Sequence, residues 1–197
     1  VIGSGPAGLA AAQQLNRAGH LVTVFERDAK VGGLLRYGIP DFKLQKNIID
    51  RRVDVLKEEG IIFKTNAHVG KTISVETLKN DFDAVVLCGG ATVKREMGIK
   101  GSHLKGVVQA MDFLKQNNQR VGGINEFKEE ILATNKKVIV IGGGDTGSDC
   151  IGTSNRQGAK SVTNFEILSR PTAGRTASQP WPYLPIKLRT SSSHKEG

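Results

Sequence analysis

Short apolar, β-branched runs alternate with amphipathic stretches along the chain. Val1-Ile2 meets a glycine turn, and Leu9, Ala12 and Leu15 then follow at helical spacing up to Gly19. Leu21 to Phe25 reads as a strand. Lys43 to Glu59 carries Leu44, Ile48, Val53 and Leu56 at roughly helical spacing with charges between them, and Gly60 supplies the stop. Ile61 to Gly70 predicts a further strand, and Asp83 to Cys88 a buried parallel strand that runs into Gly89-Gly90. Residues 98–106 form a connector. Gln116 to Glu126, polar and holding Gly122-Gly123, is the best loop candidate. The rhythm then restarts with a strand over Lys136 to Ile141, a helix over Ser148 to Gln157 ending at Gly158, and a strand from Ser161 to Leu168. The proline-rich stretch from Gln179 to Gly197 reads as an irregular loop leading to a strand.

Strand and helix in alternation predict an α/β fold with mostly parallel, doubly wound sheets. The restart makes it two Rossmann-type units, both partial, divided as 1–100 and 101–197. Only Val1 and Ile2 precede the first glycine, where such a strand normally has several residues, so the sequence is expected to be a piece of a longer protein.

The chemistry lies in the two glycine turns. Val1-Ile2-Gly3-Ser4-Gly5-Pro6-Ala7-Gly8 returns as Val140-Ile141-Gly142-Gly143-Gly144-Asp145-Thr146-Gly147, 139 residues on from Gly3 to Gly142. In this pattern the first glycine permits a tight turn off the strand, the second lets backbone approach a pyrophosphate, and the third lets helix and strand pack closely. The helix N-terminus offers free N–H groups and a positive dipole end to the phosphates. Gly3, Gly5, Pro6, Ala7 and Gly8 are therefore candidate ligands of one dinucleotide, and Gly142, Gly144, Asp145, Thr146 and Gly147 of another.

The strand tips suggest which dinucleotide sits where. Glu26, 18 residues past Gly8, can accept hydrogen bonds from ribose hydroxyls and would repel a 2′-phosphate, so the first site suits FAD or NAD. The second tip is read at Ser169-Arg170-Pro171, with no acid there. Arg170, joined by Arg175, could pair with a 2′-phosphate and so favours NADPH over NADH. A shift of strand register would bring Glu166 nearer the ribose instead.

Composition narrows the field. Twenty-eight Lys and Arg against 19 Asp and Glu give a formal charge of +9, but no basic run is interleaved with aromatics, so nucleic acid is not an expected partner. No run of 18 apolar residues occurs, and no membrane span is expected. Cys88 and Cys150 are the only cysteines, with no C-x-x-C spacing, which excludes a redox dithiol, a zinc site and an iron–sulfur ligand set and fits a reducing cytoplasm.

At Val31-Gly32-Gly33-Leu34-Leu35-Arg36-Tyr37-Gly38-Ile39-Pro40 the sequence resembles the two-dinucleotide-binding flavoproteins. It is similar to the branch that holds adrenodoxin reductase, dihydropyrimidine dehydrogenase and the small (beta) subunits of glutamate synthase. Leu34, Leu35 and Arg36 stand where the disulfide branch carries its cysteine pair. The resemblance implies that Gly33 and Leu34 lie along FAD, that Val69 gives backbone contacts to the adenine, and that the turn at Gly89 and Ala91 closes on the flavin side. The stretches 142–152, 164–170 and 179–194 resemble the glutamate synthase small subunits most. That likeness implies hydride transfer from NADPH to FAD without a catalytic side chain, the cofactors doing the chemistry. It further implies electron exit through iron–sulfur clusters to the large (alpha) subunit, which forms glutamate. In the family those clusters sit in an N-terminal cysteine-rich region, and a C-terminal segment returns to the flavin; this sequence contains neither. Two rivals remain open, a ferredoxin-type NAD(P)H reductase with another acceptor and a dinucleotide-binding module without turnover.

Overall fold

A computed structural model describes residues 1–172, 174–184, 188 and 190–196. The chain divides into two compact units, Val1–Met111 with Lys115–Asn125, and Asp112–Leu114 with Glu126–Gly197.

In the first unit, helix α1 (Pro6–Arg17) begins with Pro6 in its first turn, where a missing N–H costs nothing and φ is already helical. Gly19, at φ +95°, turns the chain out of the helix. Strand β1 (Thr23–Phe25) pairs in parallel with β2 (Ile62–Lys64). Ile2 lies beside β1, bridging to Phe25 and to Leu87, so the strand positions run β2, β1, Ile2, Leu87 across the sheet. The strand expected over 83–88 amounts to this one bridge, with the Ile2 N–H donating to Val86 O and the Cys88 N–H to Ile2 O, both at 2.8 Å. Leu87 is 78% exposed, so the expected burial is not met.

Helix α3 (Lys46–Glu58) packs over the sheet through Ile49, Val53 and Leu56. The pattern had pointed to Leu44 and Ile48. Leu44 precedes the helix, and Ile48 is 46% exposed while Ile49 is 4% exposed, because i, i+4 and i+7 counted from Ile49 define the inward face. These residues join Leu9, Ala12, Val22, Val24, Val31 and Ile61 in one core. A smaller core forms around Phe25, Ala67 and Leu78, with Phe82 edge-on to Phe25 at 5.7 Å. Leu78 belongs to α4 (Val75–Asp81), capped by Ser74 Oγ accepting the Thr77 N–H at 3.0 Å.

Between β1 and α3 lies the short helix α2 (Leu34–Tyr37). The chain after it is held by one ammonium: Lys46 Nζ donates to the carbonyls of Leu35, Ile39 and Leu44 at 3.2, 2.6 and 3.0 Å.

The predicted loop over 116–126 is mostly helix. α5 (Ala110–Val121) continues to Gly122, and the turn is confined to Gly122-Gly123. Its polar sequence concealed it, because part of its packing face is itself polar. Lys115 Nζ pairs with Asp28 at 2.7 Å and sits 5.0 Å from the Tyr37 ring centre, and buried Asn118 donates to Gly38 O at 3.4 Å.

In the second unit β3 (Lys137–Ile141) and β4 (Ser161–Phe165) pair in parallel over five positions, in register Ile141 to Phe165. Val140 is buried on one face while Ile139, Ile141 and Phe165 lie exposed on the other. Helix α6 (Asp145–Arg156) starts three residues before the predicted point, at the glycine turn itself. The expected terminal strand falls partly on residues outside those described. Among the described ones the chain forms a short helix, α7 (Ser192–Lys195), with a capping box from Ser191 and His194. It lies against α6 through Asn155 and through an Arg156–Glu196 ion pair. No described helix is long and apolar enough to cross a membrane.

Candidate functional site

The two glycine turns repeat one another in detail. Gly3 and Gly142 take φ of +97° and +112°, a region that L side chains rarely adopt. Each donates its N–H to the strand alongside, Gly3 to Phe25 O and Gly142 to Phe165 O, both at 2.8 Å. Gly5 and Gly144 are the N-caps of α1 and α6, with φ,ψ of −67°, −178° and −76°, −178°. A Cβ on Gly8 would strike the carbonyl of Gly3, and one on Gly147 the carbonyl of Gly142, so the third glycine of each copy permits the close helix–strand approach. By contrast, a Cβ on Gly5 or Gly144 would meet nothing within 4 Å. Neither helix start has a side-chain cap. The space over the second glycine and the uncapped N–H groups fit a diphosphate at both turns.

Around the first turn the structure gathers most of the expected residues. Gly89 and the Cys88 carbonyl press against Gly3, where a side chain could not fit. Gly33, at φ +53°, lies so close to Gly5 that a Cβ would meet its Cα. Glu26 is 5% exposed, and its carboxylate accepts the Ser4 N–H at 3.1 Å, the Ser4 hydroxyl, and the Asp28 N–H at 2.8 Å. The Ser4 hydroxyl in turn accepts the Gly32 N–H at 3.0 Å. Loop, strand tip and Gly-Gly segment are thus one hydrogen-bonded assembly. Val69 packs against the Phe25 cluster and bridges to Ile73. Pro6 and Ala7 form the first helical positions, while Leu34 and Ala91 are exposed.

Asp145, Thr146 and Gly147 open α6 in the same way. Arg170 is exposed beyond β4, and Arg175 uses Nη1 to hold the carbonyls of Gln179 and Tyr183, each at 2.7 Å.

Ser4 and Glu166 went unselected by sequence reasoning. Because Phe25 and Phe165 make the same hydrogen bond to the glycine turn, Glu166 occupies in the second unit the position of Glu26 in the first. The signal was present as Val22-Thr-Val-Phe-Glu26 and Val162-Thr-Asn-Phe-Glu166. The acid belongs at the tip, and the expectation of an acid-free second tip came from running β4 on to Leu168.

Cys88 and Cys150 are both free. Burial, and then the Asp149 charge, push the Cys150 thiol from 9.0 up to about 12, which leaves it a packing residue at neutral pH. No cluster of metal-binding side chains occurs among the described residues.

The chain is 56% identical to the glutamate synthase [NADPH] small chain of Mycobacterium tuberculosis, covering all of this chain and 41% of that protein. It is 50% identical to the small chain of Bacillus subtilis, again over all of this chain and 40% of that one. Against the glutamate synthase [NADH] of Saccharomyces cerevisiae it is 52% identical, covering 9% of the longer protein. The chain therefore spans about two fifths of the small chains it matches. Among solved structures, FprA of Mycobacterium tuberculosis in complex with NADPH shares the fold at a TM-score of 0.66 and 23% identity, over 83% of this chain and 41% of that one. The model of the pyridine nucleotide-disulphide oxidoreductases matches residues 1–181, and the chain belongs to that family.

Proposed function

We propose that this chain is the two-dinucleotide portion of a glutamate synthase small subunit, with FAD at the first turn and NADPH at the second. The observation that carries the reading is the duplicated turn: two copies agree in φ, in strand hydrogen bond, and in an open second glycine before an uncapped helix. Residues 1–100 then serve FAD and 101–197 NADPH. The names of the small-chain relatives support both the donor and the assignment.

The bound nicotinamide and flavin supply the hydride donor and acceptor chemistry. The chain binds and orients. Its α1 and α6 N-termini take up the diphosphates, Gly5 and Gly144 leave room for them, and Glu26 holds the adenosine ribose of FAD with the acceptor capacity its own partners leave. Gly33, Leu34, Val69, Gly89 and Ala91 flank the flavin nucleotide, and Arg170 and Arg175 lie on the side of the NADPH ribose phosphate. No side chain is required to move a proton. Electrons leave toward a large (alpha) subunit that forms glutamate, through iron–sulfur clusters held outside this stretch.

The test is anaerobic reduction. The chain is loaded with FAD and mixed with NADPH, and the oxidised-flavin absorbance is followed. Bleaching supports the reading; bound flavin that NADPH leaves oxidised, in this chain and in the whole small subunit, refutes it. Bleaching without transfer to the large subunit would favour a reductase with another acceptor.

A further inference from the structure

We propose that Glu166 is the specificity residue of the second turn, reading a free ribose 2′-hydroxyl and working against a 2′-phosphate, so that it lowers the preference for NADPH over NADH. This rests on the reading of the second turn as the nicotinamide dinucleotide site.

The two tips share a backbone and differ in what restrains the acid. In the first, Glu26 is buried and braced by the backbone and hydroxyl of Ser4. In the second, the residue in Ser4's place is Gly143, which has no hydroxyl to offer. Glu166 is exposed. Its Oε1 accepts the Ile167 N–H at 3.1 Å, and its Oε2 lies where a Cβ on Gly143 would stand. The carboxylate therefore rests over the phosphate turn itself, close to where an adenosine ribose must enter.

An acid at this place accepts from ribose hydroxyls and repels a 2′-phosphate. The counter-charges are arranged less directly. Arg170 stands four residues further along the chain, and Arg175 already spends Nη1 on the carbonyls of Gln179 and Tyr183. Preference at this turn is a balance in which Glu166 weighs against the phosphate and the arginines weigh for it.

The test titrates the full chain with NADPH and with NADH, following nicotinamide fluorescence, for the native sequence, Glu166→Gln and Glu166→Asp. Glu166→Gln is expected to raise the ratio of NADPH to NADH affinity about tenfold, the size of one close, solvated charge repulsion. Glu166→Asp keeps the charge and is expected to stay within about threefold of the native ratio. Circular dichroism checks that each variant is folded. An unchanged ratio in folded Glu166→Gln overturns this inference and leaves the site reading intact, as does an equal shift in both variants. If the native chain binds neither dinucleotide, the site reading falls and the inference with it.

Discussion

The hydroxyl of Ser4 donates to the carboxylate of Glu26, inside the first unit, and joins the glycine turn to the tip of β1. Because the same hydroxyl accepts the Gly32 N–H, one small side chain links three segments far apart in sequence. Ser4→Ala removes a buried hydrogen bond to an ionised group and is expected to cost about 1.5–3 kcal/mol of stability, read by urea unfolding. FAD affinity should fall with it. A variant as stable as the native chain would show that the backbone contact from Ser4 suffices.

Gly5 and Gly144 separate binding from folding. Their φ values are ordinary and nothing crowds a Cβ at either place, so Gly5→Ala and Gly144→Ala should unfold within about 0.5 kcal/mol of the native chain. Each added methyl stands where a diphosphate approaches. Gly5→Ala is expected to weaken FAD binding at least about tenfold, and Gly144→Ala the nicotinamide dinucleotide by as much. Undiminished binding in both titrations would remove the two turns from the site.

Gly8 and Gly147 behave in the opposite way, since an added Cβ would strike a backbone carbonyl that cannot move without its turn. Gly8→Ala and Gly147→Ala are expected to destabilise their own units by about 1–3 kcal/mol. Thermal unfolding of each variant measures this.

Cys150 gives the chain an alkaline sensitivity. With its folded thiol pushed up to about 12, the native state keeps a proton that the unfolded chain releases from about pH 9. Stability from this group is fully present below that pH and is lost as pH climbs toward 12. Cys150→Ala should flatten that part of the stability profile. At pH 8 an alkylating reagent should label half-buried Cys88 well ahead of Cys150, and equal rates would contradict the burial.

Leu56 is fully enclosed between α3 and the sheet. Leu56→Ala is expected to cost about 2–5 kcal/mol, measured by chemical denaturation.

The two βα repeats were legible because their cores obey simple periods: Val22 and Val24 alternate inward, and Leu9 and Ala12 share a helix face. α5 was hidden for a physical reason. Asn118 and Lys115 pack against polar groups of the 28–38 segment, so its hydrophobic pattern is weak. The stretch 85–87 looked buried because its composition is that of an inner strand, yet its pairing stops at Ile2. Glu166 was misplaced by the end of β4, since a strand drawn three residues too long carries the tip past its acid.

The exposed sheet face of the second unit bears on how the protein behaves in solution. Ile139, Ile141 and Phe165 project together from a two-stranded parallel sheet, a kind of sheet that proteins ordinarily cover on both faces. Such a surface is sticky by the same physics that folds the core. In concentrated solution this face is where copies will adhere to one another, salts that strengthen apolar contact will hasten it, and a charged residue at Ile139 will improve solubility without touching either glycine turn.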